Sequence, residues 1–470
     1  MKKLNTSPIS GAQELLPTVQ ATFDKLKNRI IKVYKRHGYF NIETPSIERL
    51  DVLTAKAGGD TEKQIYNVMK TSEKVEHASE GLRFDHTVPL ARYVCAHEND
   101  LDFPFKVQQT GLNYRGERAQ KGRFREFYQC DIDVVGRGKL SLAYDADVII
   151  TMLDAYSTFH LETPVLARIS NRKILTGLLA ALGLADHTNE ISHIIDHAEK
   201  VTPEQTKLSL MDLKLTKSQA ETILNFINLH GSRSDVITAL NNLEINNDTY
   251  QIGVEELDLV LGLLESLGLG DQISADMQII RGLDYYTGTV FEFVLPEYKN
   301  IGSIGGGGRY DNLTAYFSDR PFPGVGGSIG LTRLFFVLNE NHLLDTSSQS
   351  LLDYAIIPLS NDEIEYAYNV AHDLQSNNYS TTVIVTDKKL SDKLLYAAKV
   401  AGGGIVIGED EVKTGELKAK DFDTGTTSVI TFASDDASTP TPKPTDNKPH
   451  EDHPTVKPDE FFSDDNKSFL

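Results

Sequence analysis

Arg281-Gly282-Leu283-Asp284-Tyr285-Tyr286-Thr287-Gly288 sets a guanidinium, a carboxylate and two phenols beside one turn. A guanidinium is a planar fork suited to carboxylate or phosphate. A phenol offers an apolar face and one hydrogen-bonding tip. The octapeptide reads either as a surface hairpin whose Arg281 and Asp284 pair with each other, or as a binding site. A second segment carries Arg115, Arg118, Lys121, Arg123 and Arg125, five cations within eleven residues, with Glu117 and Gln120 among them and Gln129 just beyond. Such a cluster is an anion site, with phosphate the natural ligand, unless it is only a solvated tip. A third signal is glycine. Gly305 to Gly308 precedes Arg309-Tyr310-Asp311, and Gly324-Val-Gly326-Gly327-Ser-Ile-Gly330 precedes Leu331-Thr-Arg333. Glycine lets backbone approach a ligand closely. The second run misses the dinucleotide fingerprint by one residue and lacks a preceding βαβ unit. The alternative is a glycine-rich strand feeding a helix whose N-terminus and Arg333 favour phosphate.

The elements that must position these groups follow from periodicity. Residues 17–38 repeat apolar positions at helical spacing and stop at Gly38. Residues 40–45 are short and extended, because a residue before proline avoids the helical region. Strands are expected over 82–87, 105–114, 126–135 and 165–169, with residues 115–125 as a hairpin tip and a helix from about Arg172. Strands joined by loops, not alternating with helices, imply an antiparallel sheet in an α+β catalytic unit. Leu- and Ile-rich stretches between 181 and 265 imply a helical insertion. Strand pattern resumes at 277–280 and 290–294, Asp311 leads toward a helix, and another helix spans about 330–339. Residues 351–433 alternate strand (353–358), helix (362–376), strand (381–386), helix (390–400) and strand (404–408). That is a small α/β domain with a mostly parallel sheet. The expected divisions are therefore 1–180, 181–265, 266–342, a linker at 343–350, 351–433, and a polar tail at 434–470.

Composition bounds the function. With 24% charged and 40% hydrophobic residues, the chain matches a soluble globular protein of several domains. No apolar run is long enough to span a bilayer, and the basic start lacks an apolar signal region. Two cysteines, Cys95 and Cys130, exclude a disulfide framework and a cysteine-based zinc site, and favour a cytoplasmic home. No protein-bound zinc is expected. His97-Glu98 lacks a second histidine, and His450 and His453 lie in the tail. No nucleophile elbow or P-loop occurs. The net charge of −20 argues against nucleic-acid binding by bulk charge but permits a local basic patch. The tail supplies nine Asp and Glu against four Lys, about five of those charges.

Several motifs together resemble class II aminoacyl-tRNA synthetases. Glu43 to Pro45, Tyr114 to Glu117 and Gly326 to Arg333 are similar to motifs 1, 2 and 3. Arg281 to Gly288 and Gly306 to Asp311 resemble the two signature peptides of the histidyl-tRNA synthetase family. The resemblance spans roughly residues 10–433. It implies ATP-dependent activation of L-histidine to an adenylate and transfer to the 3′ end of tRNA(His). ATP arrives with Mg2+, and a cytoplasmic homodimer with no membrane association is implied. Arg115, Glu117, Arg123 and Arg333 would face ATP, with Arg115 on the α-phosphate. Asp85, Thr87 and Gln129 would receive the amino group. Asp133 and Tyr286 would bind the imidazole, with Tyr285 beside them. Arg281 would lie between the carboxylate and the α-phosphate, as the catalytic cation with Arg115. Arg118 and Gln120 would meet the acceptor end of the tRNA, and 351–433 resembles the anticodon-binding domain. Asp133 stands where many relatives carry Glu, and Asp85-His86-Thr87 replaces Glu-Gly-Thr. Ala119 replaces a common Pro. The rival implied function is a non-catalytic, histidine-sensing regulatory paralogue. Another is a sensor of uncharged tRNA.

Overall fold

In a computed structural model, the structure describes residues 3–55, 62–72, 78–198, 201–279, 286–298, 302–344 and 351–430. Arg281, Asp284, Tyr285, the 345–350 segment and the tail from 431 lie outside the described residues. The chain divides near residue 350 into two compact units.

The first unit is built on a nine-stranded sheet. Its strands run, edge to edge, Phe40–Asn41, Phe105–Tyr114, Glu126–Val135, Gly324–Ile329, Gly305–Tyr310, Thr289–Val294, Leu166–Asn171, Ile273–Asp276 and His230–Gly231. All pairings are antiparallel except the outer Phe40–Asn41 with Phe105–Tyr114 and Leu166–Asn171 with Ile273–Asp276. Antiparallel neighbours on both sides of Gly324–Ile329 rule out the parallel sheet a dinucleotide fingerprint requires. The longest pairing, Phe105 opposite Val135 through Tyr114 opposite Glu126, is the hairpin expected from the sequence, with residues 115–125 as its tip.

One face of this sheet packs on helices. Pro17–Arg36 starts on a proline, which suits a first-turn position with no amide to satisfy, and buries Phe23, Leu26, Ile30, Val33 and Tyr34. The Tyr34 hydroxyl donates to the Cys130 carbonyl, and Phe23 meets Tyr128 and Phe335 edge to face. Cys130, Ile132 and Val134 join the same core as Met152 of the Ala143–Ser157 helix. Alternation then sends Gln129, Asp131 and Asp133 to the other face. From Arg172–Ala181 to Asp248–Ser266 the chain is chiefly helical, and its buried leucines and isoleucines belong to that same core. Thr202 and Thr216 each close a capping box with Gln205 and Gln219. A three-stranded sheet of Ile47–Arg49, Glu80–Leu82 and Asn67–Val68 completes the unit.

Three local expectations need correction. Residues 82–87 are not a strand: the strand is Glu80–Leu82, and a helix occupies Thr87–Ala96. Asp85 starts it by accepting the Val88 amide at 3.0 Å, and Pro89 sits in its first turn. The strand expected from Met277 lies earlier, at Ile273–Asp276; Asp276 accepts the Gln278 amide and turns the chain. Asp311 leads only to the single 3-10 turn Leu313–Tyr316.

The second unit is a five-stranded sheet in the order Thr381–Val383, Leu352–Pro358, Ala401–Ile407, Leu417–Asp421, Thr427–Ile430. The first three are parallel. The last two are antiparallel, so the sheet is mixed where a mostly parallel one was expected. Helices Ile364–Ser376 and Leu390–Val400 follow the first two parallel strands in sequence.

Candidate active site

The sheet face turned away from the main core is the floor of a cavity of about 410 Å3. That volume suits a small ligand. Phe127, Gln129, Asp131 and Asp133 line it from alternate positions of one strand. Six residues at about 3.3 Å each make this row about 20 Å long. The hairpin tip, with Arg115 and Arg123, lies at the Phe127 end. Asp133 marks the other.

Glycine makes the floor passable for side chains. Asp133 is paired with Gly326, and a Cβ at Gly326 would meet the Asp133 Oδ1 at 1.9 Å. A Cβ at Gly324 would meet the Tyr310 ring at 2.3 Å, and one at Gly308 the Tyr286 ring at 2.9 Å. The Asp133 carboxyl and both tyrosine rings therefore occupy space over these strands that a side chain at each glycine would fill. Across this gap the Tyr310 hydroxyl donates to Asp133 Oδ1 at 2.7 Å. On the core face, a Cβ at Gly327 would meet the Met152 sulfur at 2.4 Å, so helix and sheet also touch through a glycine.

The two ends differ in charge. Arg115, Arg123 and Arg333 line the cavity with Glu117. The Arg115 guanidinium sits 4.4 Å from the Phe84 ring centre and 5.1 Å from that of Phe127, which fixes its plane. Arg123 approaches Glu117 at 3.3 Å on the exposed tip. Gly330 and Arg333 bring the start of the Leu331–Glu340 helix to the wall. Its amide dipoles add positive character there. Thr332 ties this helix to the floor by accepting the Tyr128 amide at 2.8 Å.

Away from the tip Asp131 and Asp133 line the cavity, and Asp85 joins them from beside Phe84, the residue that packs on Arg115. Burial pushes the Asp133 carboxyl up to about 8, against the opposing bond from Tyr310, and Asp131 and Asp85 add to the rise. Burial also raises Asp85, opposed by the Val88 amide and by Arg115. Of the three, Asp131 is held by His86 and Ser328 and Asp85 by the Val88 amide, while Asp133 is the one pushed furthest toward its protonated form.

Of the residues singled out in the sequence, the cavity gathers Asp85, Thr87, Arg115, Glu117, Arg123, Gln129, Asp133, Tyr286 and Arg333. Arg118 and Gln120 are exposed on the tip and do not line it. Arg281 and Tyr285 lie outside the described residues. Sequence reasoning missed Asp131, Ser328 and Tyr310. The period-two spacing of Gln129, Asp131 and Asp133 was the available signal for the first.

Comparison with known proteins follows the same division. Residues 11–334 match the family model described as histidyl-tRNA synthetase, and 353–434 match that of the anticodon binding domain. The histidine–tRNA ligase of Clostridium tetani is 41% identical over 429 residues, covering 90% of this chain and 96% of that protein. A crystal structure of histidyl-tRNA synthetase from a Nostoc species superposes with a TM-score of 0.80 at 34% identity, covering 91% of this chain and 97% of that one. A Bacillus halodurans structure titled as an ATP phosphoribosyltransferase regulatory subunit/histidyl-tRNA synthetase shares the fold, with a TM-score of 0.71 at 20% identity, covering 87% and 100%.

Proposed function

Because this chain belongs to the histidyl-tRNA synthetase family, we propose that its cavity activates L-histidine with ATP and passes the aminoacyl group to tRNA(His). The observation that carries this is the joining of an arginine end and a carboxylate end over one glycine floor. A carboxylate oxygen of histidine attacks the α-phosphorus of ATP. The bond to pyrophosphate breaks, and pyrophosphate leaves with its charge. The terminal ribose hydroxyl of the tRNA then attacks the acyl carbon, its proton is lost, and AMP departs. No general base is needed in the first step, since the amino-acid carboxylate is already ionised.

Arg115, Arg123 and Arg333 would hold the nucleotide's phosphates, where fixed cations match charge that builds in the transition state. Magnesium would arrive on ATP as part of that substrate. Arg281, from the signature peptide, would bridge carboxylate and α-phosphate. Asp85, Thr87 and Gln129 would take the ammonium group. Asp133 and Tyr286 would take the imidazole, with Tyr285 nearby. A pocket built on buried polar partners rejects side chains that leave them unpaired. Arg118 and Gln120, exposed on the hairpin tip, would meet the acceptor end. A cytoplasmic homodimer is carried over from the family as part of the same reading.

The extent and level of likeness to named ligases supports catalysis over the regulatory alternative. The test is histidine-dependent exchange of labelled pyrophosphate into ATP. Exchange with histidine and with none of the other amino acids is expected. No exchange above an enzyme-free blank would overturn the reading.

A further inference from the structure

Asp131 and His86 are buried, 4% and 1% exposed, and the proposed chemistry uses neither. His86 precedes the Thr87–Ala96 helix, and its carbonyl accepts the Leu90 amide. Its Nδ1 lies 2.8 Å from Asp131 Oδ2 and 3.3 Å from Asn113 Nδ2. One nitrogen cannot donate to the carboxylate and accept from the amide together. The shorter contact, to a carboxylate oxygen, is the stronger, so Nδ1 carries a proton and donates. The other Asp131 oxygen, Oδ1, accepts from Ser328 Oγ. Ser328 Oγ in turn accepts from Gln129 Nε2 at 2.5 Å, and Gln129 Oε1 accepts from Asn113 Nδ2 at 2.8 Å. Both oxygens of Asp131 and both ends of the Gln129 amide are thus held in one chain of bonds. Asp131, Ser328 and Gln129 line the cavity; His86 and Asn113 stand behind it. Free glutamine has several rotamers to lose on binding a ligand, and this chain removes that cost beforehand.

We propose that His86 is a positioning residue for amino-acid recognition: its Nδ1–H orients Asp131, which through Ser328 fixes the Gln129 amide so that its oxygen meets the substrate's ammonium group. The inference rests on the histidine-activation reading. An apolar side chain of similar bulk would fill the same space; what imidazole adds is one directed donor. His86→Leu removes the donor and keeps bulk. His86→Asn keeps a donor near the place of Nδ1.

Steady-state pyrophosphate exchange on the full chain separates these. His86→Leu leaves a buried carboxylate oxygen without its donor and should raise the KM for histidine about tenfold, with the KM for ATP and kcat within about twofold. His86→Asn should recover most of that loss. Ser328→Ala breaks the chain at its other link and should repeat the His86→Leu pattern, which keeps the test open if His86→Leu does not fold. A wild-type KM for histidine in His86→Leu or Ser328→Ala would overturn the proposal. So would equal loss in His86→Leu and His86→Asn, or a parallel rise in both substrates' KM. A wild-type chain with no histidine-dependent exchange would instead defeat the functional reading on which it rests.

Discussion

Gly326→Ala is the sharpest perturbation of the carboxylate end. The backbone at Gly326 is ordinary strand, so alanine imposes no conformational strain; its effect is steric. The new Cβ would stand 1.9 Å from Asp133 Oδ1, 2.6 Å from Cγ and 2.8 Å from the Ile132 carbonyl oxygen. Ordinary contact begins at 3.4 Å, so the carboxyl oxygen must retreat by about 1.5 Å. That retreat cannot preserve the 2.7 Å bond from Tyr310, whose own ring is confined over Gly324. Overpacking and a lost buried hydrogen bond each carry about 1–3 kcal/mol. We expect a fall in unfolding free energy of about 2–6 kcal/mol by urea titration. In pyrophosphate exchange we expect a rise in histidine KM of at least about tenfold. The ATP KM should stay within about twofold, because the arginines that face the phosphates lie at the other end of the floor. A variant with wild-type histidine KM would refute the claim that Asp133 is held in place to bind the amino acid.

Two further outcomes follow from the same geometry. Asp133 is raised in the folded state to about 8 from an ordinary value of 3.8. The native state therefore holds a proton that the unfolded chain releases, and stability declines as pH rises through that window. Urea titrations of the ligand-free protein at pH 5 and pH 8 should show a larger loss in wild type than in Asp133→Asn; equal losses would contradict the buried carboxyl. Arg309 donates from Nε to both Asp145 oxygens at 3.1 Å and from Nη2 at 2.6 Å, with Asp145 fully buried. Asp145→Ala leaves that guanidinium with the longer contact to Asp311 Oδ1 at 3.7 Å as its anion and should cost about 3–5 kcal/mol in the same assay. A loss below about 1 kcal/mol would mean the pair is dispensable.

Much of the frame was legible because it rests on local periodicity. The 105–114 and 126–135 strands were readable to the residue, since alternation along both and a charged tip between them leave little freedom. The Leu331–Glu340 helix and the glycine strand before it were legible for the same reason. Misreadings came where one side chain decides the matter. Asp85 accepts the Val88 amide just ahead of a helix that the extended look of Leu82 to Thr87 conceals, and Asp276 ends a strand before its apolar run is finished. Cross-strand facts were not legible at all. Nothing near Tyr310 in sequence says that its hydroxyl meets Asp133, 177 residues away, over a pair of glycines. Nor does Asp85-His86-Thr87 announce that the middle residue bonds to Asp131. Strand order had to be known first.

The most direct measurement is charging of tRNA(His) with labelled L-histidine by the full chain in the presence of ATP and magnesium. Histidine should accumulate on the tRNA's 3′ end, one per acceptor, with AMP and pyrophosphate released in step, and a tRNA of another specificity should stay uncharged. Binding of histidine with no adenylate formed and no transfer to tRNA would contradict the reading of this cavity as a synthetase centre.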